Sequence, residues 1–357
     1  MIITINSDAD SSLRGDLLSL LNQLSNSHRP ISAIKIDGHE VICLESKQCD
    51  PQAPHILRQH RAVAKVTSIP TPYKLVSRAF KAEQSSVVIG EDRGISPMII
   101  GGENASPVIM AGPCAVENRE QLLSTARAVK AAGAQILRGG AFKPRTSPYQ
   151  FQGLGVAGLE LLAEARQETG LPVITEVMEP EMVETVAAYA DILQIGSRNM
   201  QNFPLLLAAG RNSRQRPVML KRGLASTIEE WLLAAEYIVV AGNPRVILCE
   251  RGVRSFDPQT RNLLDLSCVP LLHELTHLPI IVDPSHATGR RELVPAMSRA
   301  SIAAGAEGLI LEVHPEPDSA LCDGRQSITP DQLQTIIRDT RLLAQLMNGK
   351  TELTYVA

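Results

Sequence analysis

Between Leu137 and Gly155 the chain reads LRGGAFKPRTSPYQFQGLG, which sets Arg138, Lys143 and Arg145 within eight positions. Gly139, Gly140, Pro144 and Pro148 break helix and central strand alike and restrict the backbone that carries the cations. Three cations held in this way suit a small, multiply charged anion, with phosphate or carboxylate the natural choices. A solvated basic loop is the competing reading, and the same glycines and prolines argue against it.

More chemistry follows short apolar runs elsewhere: Cys114, Glu176, Arg198, Lys221, Glu250 with Arg251, Asp283 with His286, and Glu312 with His314. Singly, each has an ordinary structural reading; scatter alone would not set so many immediately after apolar runs. Cys114, His286, Glu312 and Asp323 offer a thiolate, an imidazole and two carboxylates, a mixed set suited to one divalent Mn, Fe, Co or Zn ion. With a coordination position left open, such an ion polarises a carbonyl. The cations Arg138, Lys143, Arg198, Lys221 and Arg251 exceed what one phosphate needs. They fit a substrate with both phosphate and carboxylate, or two phosphorylated substrates.

These groups need a scaffold that brings them to one face. From Pro107 onward, apolar runs alternate with amphipathic segments. The runs are 108–111, 135–137, 173–175, 192–195, 218–220, 246–249, 280–282 and 308–311. Helical spacing marks 119–132, 158–169, 180–190, 203–209, 227–240, 293–304 and 330–346, and the run ending at Cys249 leads into an irregular stretch. This rhythm predicts a (β/α)8 barrel over 107–357, whose strand-end loops share one mouth. A doubly wound sheet fits less well, since polar residues follow nearly every strand and no GxGxxG follows the first.

Residues 1–75 predict a small ferredoxin-like α+β domain. Its parts are a strand at 1–6, a helix at 11–24, a hairpin of 31–36 and 40–44 around Asp37-Gly38, a weakly patterned 49–60 and a strand at 62–69. Residues 76–106 follow as linker and barrel-capping hairpin, with Gly90 and Gly94 at the turn. His28, His39, His55 and His60 follow no ligand spacing and read as surface residues.

The 357 residues are 44% hydrophobic and 20% charged, with a net charge of -3. That balance points to neither nucleic acid nor an anionic membrane as partner. No apolar stretch is long enough to span a bilayer and no secretory signal is evident. Six cysteines without a CxxC pair suit reduced thiols and a cytoplasmic setting.

AGPCAVE at 111–117, LRGGAFKPRTSP at 137–148, IGSRN at 195–199, LKRG at 220–223, LCERG at 248–252, VDPSHATG at 282–289, LEVHPEP at 311–317 and CDGRQ at 322–326 closely resemble 3-deoxy-D-arabino-heptulosonate-7-phosphate (DAHP) synthase. The resemblance is to the type I-beta branch and covers the whole barrel; PYKLVSR at 72–78 resembles that branch's domain junction. It implies the first step of the shikimate pathway, in which phosphoenolpyruvate condenses with erythrose 4-phosphate. It also implies metal binding by Cys114, His286, Glu312 and Asp323, and phosphoenolpyruvate binding by Arg138, Lys143, Arg198, Lys221 and Arg251. Arg145 and Thr146, with Asp323, fall to erythrose 4-phosphate. Lys143 is implied as a proton donor to the new alkoxide, and Glu176 or His286 as water-positioning groups. A homo-oligomer, a tetramer in that branch, and feedback by tyrosine or phenylalanine through the N-terminal domain complete the expectation. The nearest alternative, 3-deoxy-D-manno-octulosonate-8-phosphate synthase, carries KANRS where this chain has KPRTS at 143–147. A non-catalytic sugar-phosphate sensor would not need the complete ligand and cation set.

Overall fold

The computed structural model describes residues 1–26, 31–36, 38–91, 93–103, 105–145 and 147–347. The N-terminal elements are β1 (Ile2–Ile5), α1 (Ser11–Leu24), β2 (Ile34–Ile36), β3 (His39–Cys43), α2 (Ala53–Arg58) and β4 (Val63–Thr67). Their sheet has the order β2-β3-β1-β4, with β1 antiparallel to both neighbours, as in a ferredoxin-like fold. Asp10 caps α1 by accepting from the Leu13 amide at 2.8 Å. One turn apart, Leu17 and Leu21 then pack with Ile3, Ile42 and Leu57, and burying each contributes about 1.5–3 kcal/mol. The weakly patterned 49–60 contains α2, too short to show an amphipathic repeat. Asp37, in the expected hairpin turn, lies outside the described residues, as do His28 and Thr146.

Strand alternation gives this sheet two apolar faces. Ile3, Ile42, Val63 and Val66 meet the helices, whereas Ile2, Ile36 and Val41 join the core that includes the barrel helices. The junction is also hydrogen-bonded. Glu236, on a barrel helix, accepts from the Leu75 and Val76 amides at 2.8 and 3.0 Å.

A hairpin of β5 (Ser86–Ile89) and β6 (Met98–Gly101) precedes the barrel. Its turn contains Gly90 and Gly94, both at positive φ. The barrel strands are β7 (Val108–Gly112), β8 (Ile136–Arg138), β9 (Val173–Glu176), β10 (Ile192–Ile195), β11 (Val218–Lys221), β12 (Val246–Glu250), β13 (Ile280–Val282) and β14 (Gly308–Glu312). They close in sequence order, with every neighbouring pair parallel. Helices cover the outside and side chains fill the inside, so the strands read as unbroken apolar runs. Met110, Ile136, Ile174, Ile192, Met219, Ile247, Ile281 and Ile310 form one cluster with Val87, Ile89 and Ile100 of the hairpin.

Connecting helices are α3 (Arg119–Ala132), α4 (Val156–Thr169), α5 (Val183–Tyr189), α6 (Phe203–Arg211), α7 (Ile228–Val240), α8 (Cys268–Leu275), α9 (Pro284–Thr288), α10 (Val294–Ala303) and α11 (Pro330–Met347). The structure differs from the sequence reading after β12, where a long loop is followed by the helix α8. Its segment CVPLLHEL is short, and Pro270 sits in its first turn, where a missing N–H costs no helical bond. Little polar periodicity marked it. No helix among the described residues is long and apolar enough to cross a membrane.

Candidate active site

The C-terminal strand ends open onto a cavity of about 440 Å³ lined by Arg138, Lys143, Arg145, Glu176, Arg198, Lys221, Arg251, His286 and Asp323, among others. Two donor clusters lie at its side. Donor atoms of His286, Glu312 and Asp323 fall within 4.8 Å of one another, as do those of Cys114, Cys322 and Asp323. Asp323 belongs to both, so the two clusters adjoin and between them include the four expected ligands.

His286 shows why a cation fits there. Asp283 caps α9 by accepting from the His286 amide at 2.9 Å, and its other oxygen lies 2.8 Å from His286 Nδ1. A carboxylate can only accept, so Nδ1 carries hydrogen and Nε2 presents a lone pair in the neutral ring. Nε2 faces Glu312 Oε1 at 3.2 Å and Asp323 Oδ2 at 4.0 Å. Burial holds His286 below the usual imidazole range. An electron pair aimed at two carboxylates is the arrangement a divalent ion would resolve.

The neighbouring charges reinforce this. Burial, with Cys114 adding to it, pushes Glu312 up to about 7. Asp323 is also buried, but His286, Arg261 and Lys143 outweigh that and bring it down to about 2. Cys114 Sγ stands 3.0 Å from Cys322 Sγ and 3.7 Å from Asp323 Oδ2. The sulfur–sulfur hydrogen bond lowers Cys322 to about 7 and, together with burial, holds Cys114 well above the usual thiol value. Lys143 Nζ places a cation 3.1 Å from Cys114 Sγ.

The cations expected to bind anions sit on firm supports. Arg138, 4% exposed, ends β8 and donates to Pro113 O at 2.8 Å and Glu312 Oε1 at 3.0 Å. Lys143 also donates to Cys114 O at 3.0 Å. Burial opposes its charge, but Cys114, Cys322 and Glu312 offset that and keep its pKa above the usual lysine value. Lys221 ends β11 and pairs with Asp283 at 2.5 Å. The Trp231 indole donates to Leu220 O at 3.2 Å, tying α7 to that strand end. Arg251 follows Glu250, whose carboxylate accepts from Gly252 N at 2.6 Å and pairs with Arg222 at 3.0 Å. Gly252 has φ +87, a backbone state that glycine tolerates. Arg198 is exposed on the cavity wall, and Arg145 donates to Gln150 and to Cys322 Sγ. Glu176 lies over β10 because residue 196 is glycine; a Cβ there would come within 2.0 Å of its Oε1.

Some groups differ from the sequence reading. Glu250 and His314 do not line the cavity; the former braces the Arg251 loop and the latter faces Glu117 at 3.9 Å. Sequence reasoning passed over Cys322, Arg254 and Arg261, although CDGRQ contained the first. Arg254 and Arg261 lie on the irregular loop after β12, four and eleven residues past the strand end.

An eight-stranded barrel whose mouth gathers thiol, imidazole and carboxylate donors beside a set of cations defines a (β/α)8 enzyme of small anionic substrates. Residues 80–347 match the DAHP synthetase I family, and the chain belongs to that family. It is 51% identical over 288 residues to a phospho-2-dehydro-3-deoxyheptonate aldolase of Thermotoga maritima, covering 81% of this chain and 82% of that relative. A crystal structure of the Thermotoga maritima phospho-2-dehydro-3-deoxyheptonate aldolase (DAHP synthase) matches with a TM-score of 0.73 and 43% identity over 97% of each chain. A 2-dehydro-3-deoxyphosphooctonate aldolase of Syntrophotalea carbinolica is 34% identical over 269 residues, covering 70% of this chain and 95% of that relative.

Proposed function

We propose that this chain condenses phosphoenolpyruvate with erythrose 4-phosphate to give DAHP and phosphate, using one divalent metal ion. The observation that carries this reading is the meeting of the four-residue donor set with Arg138, Lys143, Lys221 and Arg251 at one barrel mouth. The higher identity to the heptonate enzyme than to the octonate enzyme favours the four-carbon aldehyde.

Cys114, His286, Glu312 and Asp323 would hold the ion, which when bound supplies Lewis-acid polarisation of the aldehyde carbonyl. Arg138, Lys143, Arg198, Lys221 and Arg251 bind the carboxylate and phosphate of phosphoenolpyruvate and screen their charges from each other. Arg145, Thr146 and Asp323 orient erythrose 4-phosphate. C3 of phosphoenolpyruvate then bonds to the aldehyde carbon, and Lys143 Nζ donates a proton to the resulting alkoxide. Water positioned by Glu176 or His286 adds at C2, and cleavage of the C–O bond releases phosphate.

The N-terminal domain acts in feedback by tyrosine or phenylalanine, and the enzyme works as a homo-oligomer, a tetramer in this reading. Unpaired cysteines suit a reducing, cytoplasmic setting. The test is turnover of phosphoenolpyruvate with erythrose 4-phosphate against arabinose 5-phosphate, before and after chelation. The expected result is a preference for erythrose 4-phosphate, loss of turnover on chelation and recovery with a divalent transition metal. Preference for the five-carbon sugar would reassign the chain to the octonate reaction, and full turnover after chelation would remove the metal.

A further inference from the structure

Beside the donor clusters stands Gln326, a side chain 2% exposed that does not line the cavity. Its amide lies among three charged groups. Nε2 is 2.6 Å from Glu312 Oε2 and 3.4 Å from Asp323 Oδ2, while Oε1 is 2.9 Å from Arg261 Nη1. A guanidinium can only donate, so the amide oxygen must face Arg261 and the NH2 must face the carboxylates. Each of its two hydrogens can then serve one carboxylate. Arg261 Nη1 also reaches Asp323 Oδ2 at 3.3 Å, closing a ring of Asp323, Gln326 and Arg261.

The backbone adds a second reason for such a brace. Asp323 has φ +51, one of two non-glycine residues among those described with positive φ. A left-handed aspartate is held only when its surroundings over-determine it. Here Gln326 N donates to Asp323 O at 3.1 Å, and Ser327 Oγ donates to the same oxygen at 3.2 Å. On the other side, Ile328 N donates to Glu312 O at 2.9 Å. Gln326 therefore links the turn carrying one carboxylate to the strand end carrying the other, through both main chain and side chain.

We propose that Gln326, oriented by Arg261, is a positioning residue that aims the Glu312 and Asp323 carboxylates at a shared divalent ion and so sets the affinity of the site for metal. This rests on the metal-site reading under Proposed function. The amide donates to the oxygen of Glu312 turned away from His286 and leaves Oε1 toward it. It also draws Asp323 Oδ2 and Glu312 Oε2 to one donor group, holding both carboxylates on the same side of the site. Without the amide, Arg138 would still hold Glu312 Oε1 and Arg261 would still reach Asp323 Oδ2, but the donor bridging the two carboxylates would be lost. Outer partners of this kind typically alter metal affinity by about 10- to 100-fold.

The test is titration of the full-length, metal-free protein with cobalt(II) alone, followed by the thiolate-to-cobalt absorption and by competition with a chromophoric chelator. Gln326→Met keeps the length of the side chain and removes its hydrogen bonds. It is expected to weaken cobalt binding by about 10- to 100-fold, with phosphoenolpyruvate affinity unchanged in metal-free protein. Arg261→Met, which leaves the amide free to turn over, is expected to weaken cobalt binding in the same direction by a smaller factor. Folded Gln326→Met protein that binds cobalt as tightly as the parent overturns the proposal. Should Gln326→Met fail to fold by circular dichroism, Arg261→Met decides, and unchanged affinity there overturns it. A parent protein that binds no cobalt overturns the metal-site reading itself and this inference with it.

Discussion

Arg145 makes its contacts from the rim of the cavity, to Gln150 Oε1 at 3.0 Å and to Cys322 Sγ at 2.6 Å. Lys143, two residues earlier, is buried beside the donor cluster. The same loop therefore offers one buried cation against Cys114 and a second, half-buried one against Cys322 that also lines the cavity, where a phosphate could be gripped. Arg145→Ala is expected to raise KM for erythrose 4-phosphate by about 10- to 100-fold, since a charge-assisted contact is worth about 1.5–3 kcal/mol. Steady-state kinetics with phosphoenolpyruvate saturating would measure this, and an effect confined to phosphoenolpyruvate would mean that the two sites are exchanged. Residue types and spacing sufficed to nominate the loop, because fixed cations between glycines and prolines have few other uses. They did not expose the role of Gln326, whose importance comes from an amide orientation imposed by Arg261, a residue distant in sequence.

Among the elements, α8 was hardest to read and is held most specifically. His273, on its last turn, pairs at 3.0 Å with Glu307 just before β14. Glu307 also accepts from Gln84 Nε2, in the segment before the hairpin, and from Ile280 N at 2.7 Å. One carboxylate thus gathers a helix, a strap and two strand starts. The contact with Glu307 raises His273 above its ordinary value of 6.5. A histidine whose folded pKa is raised adds stability in full below its unfolded pKa, and that stability is lost as pH rises through the folded value. His273→Asn is therefore expected to lower Tm more at about pH 6 than at about pH 9, measured by thermal denaturation across that range. An equal loss at both would show that packing, not charge, holds α8.

At the scale of the molecule, the position of the N-terminal domain matters most. None of the described residues of 1–75 lines the mouth cavity. Ile36 and Leu75 instead border a small cavity with Val239, Pro244, Arg245 and His277, beside the end of α7. Regulation by covering a mouth would require the domain to leave this contact or to reach another subunit. In either case the ligand must bind the covering arrangement more tightly than the open one, since equal affinity shifts nothing. A chain beginning near Lys74 is expected to keep turnover, lose inhibition by tyrosine or phenylalanine, and lose thermal stability as the faces around Ile2, Ile36 and Val41 are uncovered. Initial rates with and without each amino acid would test this. Persistent inhibition of the shortened chain would move the effector site to the barrel, whereas an indifferent full-length chain would leave assembly or stability as the domain's role.

By itself the sequence determined the alternation of apolar runs and amphipathic segments, and with it the barrel, because strands buried on both faces must be continuously apolar. It also determined the chemical inventory of the mouth, since a parallel barrel turns every strand end to the same side. Only the tertiary structure decided which of those groups meet. Asp323 joins two donor clusters because its turn folds back across β14, and Cys322 comes beside Cys114 for the same reason. Glu250 left the cavity because alternation along an extended chain sends neighbours to opposite sides, so Arg251 faces inward while Glu250 pairs outward with Arg222. Such distances across the barrel depend on closure and loop path, which no local pattern of residues encodes.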